Sequence, residues 1–154
     1  MAEVTKFEIK GLDKLLKKFG GLQNVVVRRQ FERTMFRTTE MIKNQARSLV
    51  PVDTGALRRS IRNVIRVGDK EILGIVGPTE PYGAAVEFGT KPHPVPVKAI
   101  ERWARKRGLN PYAVAMSIRK KGTKPHPYLI PAFQRLQRRV VEEFNRAIEY
   151  LLNL

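Results

Sequence analysis

Residues 24–49 contain neither proline nor glycine, and Phe31, Met35, Thr38, Ile42, Ala46 and Leu49 recur along them at steps of three and four. Side chains at that spacing share one face of an α-helix, with Arg, Glu, Lys and Gln filling the remainder. One long amphipathic helix from about Asn24 to Leu49 follows. Pro51 stops it, because the residue before a proline is pushed out of helical geometry. The turn-forming Asp53-Thr54-Gly55 then redirects the chain.

Shorter patterns fill in around this helix. Val4 to Lys10 alternates loosely as a short strand, and Leu12, Leu15, Leu16 and Phe19 take helical spacing before Gly20-Gly21. Ser60 to Val67 is β-branched, with Ile61, Ile65 and Val67 on one face and Arg62 and Arg66 on the other. Gly68-Asp69-Lys70 is a turn and Glu71 to Gly77 the returning strand, which makes a β-hairpin. Tyr82 to Phe88 is a short apolar stretch suited to a third strand. At the other end, Pro131 to Leu152 repeats the helical pattern through Phe133, Leu136, Val140, Phe144, Ile148 and Leu151, and is expected to pack on the sheet or the first helix.

The hexapeptide Gly-Thr-Lys-Pro-His-Pro occurs twice, at 89–94 and 122–127. Two copies are too few for a solenoid. Between them Val97, Ile100 and Trp103 take helical spacing over 97–107, and Pro111 is well placed to start a second helix. Residues 96–121 read as a basic helical insertion between two proline-stiffened hinges. At 154 residues with 42% apolar content, the chain is expected to fold as a single domain that includes this insertion.

The net charge of +16 is unevenly placed. Residues 51–90 are balanced, whereas 98–124 hold Lys98, Arg102, Arg105, Lys106, Arg107, Arg119, Lys120, Lys121 and Lys124 against Glu101 alone, half of the total. Such a chain is drawn to polyanions, and Arg102, Arg105, Lys106, Arg107, Lys120 and Lys121 are the candidates for contact with a partner or DNA. Trp103 beside them could stack on a base, but its spacing with Val97 and Ile100 favours a core position. Cysteine is absent, which excludes disulfides and thiolate metal clusters. No secretory signal or membrane span is recognisable, so a soluble protein made in the cytoplasm is expected.

Asp53-Thr54-Gly55-Ala56 matches the signature loop of aspartic proteases, which follows a hydrophobic strand. Here a long helix ended by proline precedes it, so the aspartate is read as satisfying backbone donors of its own turn. His93 and His126 occupy identical contexts but lack cysteines or nearby carboxylates to complete a metal site, and read as solvent-facing imidazoles in stiff connectors. No phosphate loop or activated nucleophile is visible. No catalytic residue, metal ligand or cofactor is assigned, and the chain is expected not to be an enzyme.

Three blocks in order carry a resemblance. They are Val50-Pro51-Val52-Asp53-Thr54-Gly55-Ala56-Leu57-Arg58-Arg59-Ser60-Ile61, then Tyr82-Gly83-Ala84-Ala85-Val86-Glu87-Phe88-Gly89-Thr90, then Pro125-His126-Pro127-Tyr128-Leu129-Ile130-Pro131-Ala132. In them the chain resembles the head-to-tail joining, or tail-completion, proteins of long-tailed bacteriophages with lambdoid-type necks. The family-motif positions are Pro51, Asp53, Thr54, Gly55, Leu57, Tyr82, Glu87, Phe88, Gly89, Pro127, Tyr128, Pro131 and Ala132. The resemblance implies an α+β fold, with a small antiparallel β-sheet flanked by a long helix in the N-terminal half and a long C-terminal helix.

It also implies a ring-forming structural subunit of the virion neck, assembled in the host cytoplasm, with a hexamer favoured by sixfold tail symmetry. The implied partners are further copies of the chain, the adjoining neck and tail proteins, and packaged DNA touched non-specifically, with no membrane. The alternative is a sequence-independent nucleic-acid-binding protein acting through the basic 98–124 segment.

Overall fold

The computed structural model describes residues 6–9, 23–68 and 71–153. Its strands are β1 (Lys6–Ile9), β2 (Ile61–Val67) and β3 (Ile72–Pro78), and its helices α1 (Gln23–Leu49), α2 (Ala56–Ser60), α3 (Gly83–Phe88), α4 (Val97–Lys106), α5 (Pro111–Lys121) and α6 (Leu129–Leu152). The class is α+β. The helical pattern over 11–19 lies outside the described residues.

β2 and β3 form the expected hairpin, with Ile61 opposite Pro78 and Val67 opposite Ile72. The third strand differs from the sequence reading. β1 pairs antiparallel with β3, giving the order β1-β3-β2, whereas Tyr82–Phe88 supplies no strand and is instead α3. The helix buries Gly83 and Glu87, one turn apart, and leaves Ala85 only half-buried, whereas a strand would have put all three on one face.

α1 buries Phe31, Met35, Thr38, Ile42 and Ala46, the stripe expected from the sequence. One face of the sheet lies on this helix. Gly74 permits the approach, since an added Cβ would stand 2.5 Å from Met35 Sδ and 2.7 Å from Thr39 Cγ2. Asn63 ties the layers together: its Nδ2 donates to Thr39 Oγ1 (3.1 Å), while Lys43 Nζ donates to Asn63 Oδ1 (3.2 Å).

α6 runs antiparallel to α1. Its first turn, Leu129 and Ala132, packs with Ala46 and Val50, and its last, Leu151, with Val27 and Phe31. Between these ends Phe31 and Phe144 stack with centroids 6.3 Å apart, and the buried Glu143 accepts from Arg37 (3.3 Å) and Arg146 (3.1 Å).

Tyr128, at the start of α6, is fully buried, and its hydroxyl donates to the Gly83 carbonyl at 3.3 Å. Burial, then the charges of Glu87 and Tyr82, push this phenol well above the ordinary tyrosine range. Folding therefore keeps the proton that the unfolded chain loses above about pH 10, so Tyr128 stabilises the fold fully below that pH and progressively less above it. The fall in urea midpoint between pH 8.5 and pH 11 should accordingly be smaller in Tyr128→Phe than in the parent. Equal falls would mean that the phenol titrates normally.

Candidate functional site

The second and third sequence blocks meet at one carboxylate. Glu87, 1% exposed, projects from α3 into the N-terminus of α6. Its Oε2 accepts from Tyr128 N (2.7 Å) and Leu129 N (2.9 Å), and its Oε1 from Ile130 N (2.9 Å). The first N–H groups of a helix have no partner within it and carry its positive end, so a buried carboxylate is stabilised there by both hydrogen bonding and the dipole. Glu87 is fully engaged in joining α3 to α6. Pro131 fits the first turn of α6, where an N–H is dispensable, and Ala132 is wholly buried beneath it.

The two hexapeptides, expected to act as separate hinges, instead bind one another. Thr90 and Thr123 form an antiparallel bridge, with Thr90 N donating to Thr123 O (3.1 Å), Thr123 N to Thr90 O (3.3 Å), and the two hydroxyls 3.0 Å apart. The preceding glycines repeat the pairing. Gly89 and Gly122 both have φ near +70°, at 72° and 75°. A Cβ on Gly89 would sit 2.5 Å from Thr123 O, and one on Gly122 would overlap Thr90 O. Each copy lays a bare glycine against the other copy's threonine carbonyl, so the repeat is a clasp with approximate twofold symmetry. His93 and His126 are exposed beyond it, and among the described residues no group of three His, Asp or Glu is placed to hold a metal.

Within the clasp, Asn110 caps α5, its Oδ1 accepting from Tyr112 N (2.9 Å) and Ala113 N (3.3 Å), with Pro111 next. The insertion formed by α4 and α5 is folded back on the first block. Asp53 receives three of its cations: Lys106 Nζ at 3.3 Å, Arg107 Nη1 at 3.6 Å and Arg102 Nη2 at 3.7 Å. The expectation that Asp53 serves its own turn is therefore corrected, since the Thr54 hydroxyl accepts from Ala56 N instead (3.3 Å). Cations 49 to 54 residues away outcompete a local turn that threonine already satisfies.

Arg105 pairs with Glu101 at 2.7 Å. Four candidate DNA-contact residues thus face carboxylates of their own chain, while Lys120 and Lys121 are exposed at the end of α5. Trp103 is also displaced from its expected core position. Ala104 is the wholly buried residue of α4, whereas Trp103 is 37% exposed with the Arg107 guanidinium 4.4 Å from its ring centroid.

The Asp53 pairs are surface pairs in a network, contributing in total about 1 kcal/mol in a salt-dependent way. Asp53→Asn should leave the core intact and raise amide exchange across 97–121 several-fold at low salt, with the difference shrinking in high salt. Unchanged exchange would mean that these pairs do not hold the insertion.

Between the first block and the insertion runs a largely apolar groove of about 770 Å³. Val52, Leu57, Tyr82 and Val86 of the body and Ile100, Trp103, Val114 and Ile118 of the insertion line it, together with the charged Asp53, Arg107 and Lys124. Of the remaining motif positions, Gly55 has φ +76° ahead of α2, Leu57 is buried in the core, and Pro51, Phe88 and Pro127 are exposed. The clasp and the groove escaped the sequence reading, although the exact repeat was a signal for the first. No helix of the described residues is long and apolar enough to cross a membrane.

No curated protein and no solved structure matches the chain. A family model matches residues 13–89, half of the chain, covering the first sequence block and all of the second but Thr90, and ending on the first clasp glycine. By that match the chain belongs to the HK97-gp10-like family, described as "Bacteriophage HK97-gp10, putative tail-component".

Proposed function

We infer that this protein is a structural subunit of a tailed-phage virion which joins head to tail, or completes the upper end of the tail, as one member of a ring. Family membership supports the tail assignment. The observation that carries the reading further is the use made of the motif carboxylates. Glu87 is spent on the N-terminus of α6 and Asp53 on the cations of the insertion, so both build a rigid framework rather than a reaction site.

Residues 1–154 act as one folding unit, with the insertion held as a fixed shoulder by the clasp at its base. The partners are further copies of this chain, with a hexamer as the ring that fits a sixfold tail, and the neck and tail proteins on either side. Its place is the virion neck after assembly in the host cytoplasm. Contact with packaged DNA falls to exposed Arg119, Lys120, Lys121 and Lys124, and weakens steeply with salt.

Light scattering of nucleic-acid-free protein at two salt concentrations, with electron microscopy of the largest species, tests the reading. Rings of about six subunits are expected. A species that remains monomeric at all concentrations, and grows only when DNA is added, would favour the nucleic-acid alternative.

A further inference from the structure

The groove between the first block and the insertion is empty of any segment of its own chain among the described residues, and it combines an apolar floor with a basic edge. Its side chains include Val52, 54% exposed, and Trp103, 37% exposed. Arg107 and Lys124 border it, and Arg102 and Lys106 share the single carboxylate of Asp53 with Arg107. Three cations on one anion leave this rim positive. A matching occupant is apolar and acidic.

The same chain carries such a surface at its opposite end. The last turns of α6 expose Tyr150 (54%) and Leu152 (68%) beside the exposed Glu149, and no basic residue follows Arg146 in residues 147–153. This charge order runs against the helix. α6 has no acidic residue in its first turn and no basic residue in its last, although a helix C-terminus already bears partial negative charge. Glu149 adds to that charge instead of offsetting it, so α6 itself ends in an acidic, apolar knob, with Arg28 and Arg29 following Val27 at the neighbouring start of α1.

Groove and knob cannot meet within one chain. The first turn of α6 packs beside the groove-lining Leu57 and Val86, whereas Leu151 packs at the far end with Val27 and Ile72. A helix of 24 residues separates these ends by about 36 Å. Copies bearing +16 each repel unless their contacting patches are locally opposite in sign.

We propose that the knob formed by Glu149, Tyr150 and Leu152 of one copy docks in the groove at Val52 and Trp103 of the next. Two different patches at opposite ends of one molecule make a heterologous interface, which closes into a ring when the rotation between copies allows it. The proposal rests on the ring reading above and specifies its contact. It also gives the insertion a task, as one wall of the socket.

The absence of cysteine from the chain makes disulfide trapping clean. In a Val52→Cys/Leu152→Cys chain, oxidation at millimolar concentration should yield covalent multimers extending past the dimer. Each single variant should stop at the dimer or below, and a Phe36→Cys/Leu152→Cys control should not extend. All altered positions are exposed, and matching urea midpoints verify folding. Leu152→Asp mixed with Trp103→Glu provides a second reading: neither should assemble alone, and the mixture should stop at a dimer with one intact interface. If the parent protein forms rings while the cysteine pair gives no extended multimers, this interface is wrong and the ring stands. If the parent is monomeric at the same concentration and no cross-link forms, both are wrong.

Discussion

Glu87→Ala is expected to lower folding stability by roughly 3–5 kcal/mol, enough to unfold a domain of ordinary stability at moderate temperature. The carboxylate accepts three backbone N–H groups from Tyr128, Leu129 and Ile130 within a buried joint. Removing it leaves those donors unsatisfied beside an empty space, and each charge-assisted bond lost is worth more than a neutral one. Glu87→Gln should recover only part of the loss. An amide offers one oxygen, which serves either the Tyr128 and Leu129 pair or Ile130, and turns an NH2 group toward the remaining donor. Urea titration of the three proteins checks this order. A glutamine variant as stable as the parent would mean that the charge at the helix terminus contributes nothing.

The second large effect is expected at the clasp. Gly122→Ala combines a backbone conformation that L-residues avoid with a Cβ that overlaps the Thr90 carbonyl, so the bridge must open. The cost is roughly 3 kcal/mol, borne mainly by the insertion. Limited proteolysis should cut between α4 and α5 at least tenfold faster while α1 and α6 stay protected. Gly108→Ala is the matched control, since Gly108 has φ +67° but nothing within 4 Å of an added Cβ. It should cost only about 1 kcal/mol. If the two variants behave alike, the clasp is not what fixes the insertion.

These effects also mark where sequence reading succeeds and stops. α1 was legible because its 27 residues hold no breaker and its apolar stripe keeps helical spacing from Phe31 to Leu49, and α5 because Pro111 supplies a preset first residue; the Asn110 cap that precedes it was not read from the sequence. The β2–β3 hairpin announced itself by alternation on either side of a turn. α3 was not legible, since six residues are too few to distinguish helical from strand periodicity. Its helix is fixed by the reach of Glu87 to donors 41 to 43 residues further on.

The same distance hid the candidate site. Asp53 looked like a turn residue because its cations come from α4, and the repeated hexapeptide looked like two hinges because its partner lies 33 residues away. Identical segments are nonetheless a specific hint of pairing, because each glycine can accommodate the other copy's carbonyl in the same way. Trp103 was placed in the core by spacing alone. The helix turns Ala104 inward instead and leaves the indole to line the groove.

Quantitative mass spectrometry of purified virions, compared with particles made without this protein, addresses the structural role itself. About six copies per virion are expected, as for one closed ring, with unjoined heads and tails accumulating when the protein is missing. Its absence from purified virions, or normal particles assembled without it, would contradict a structural role in the phage neck.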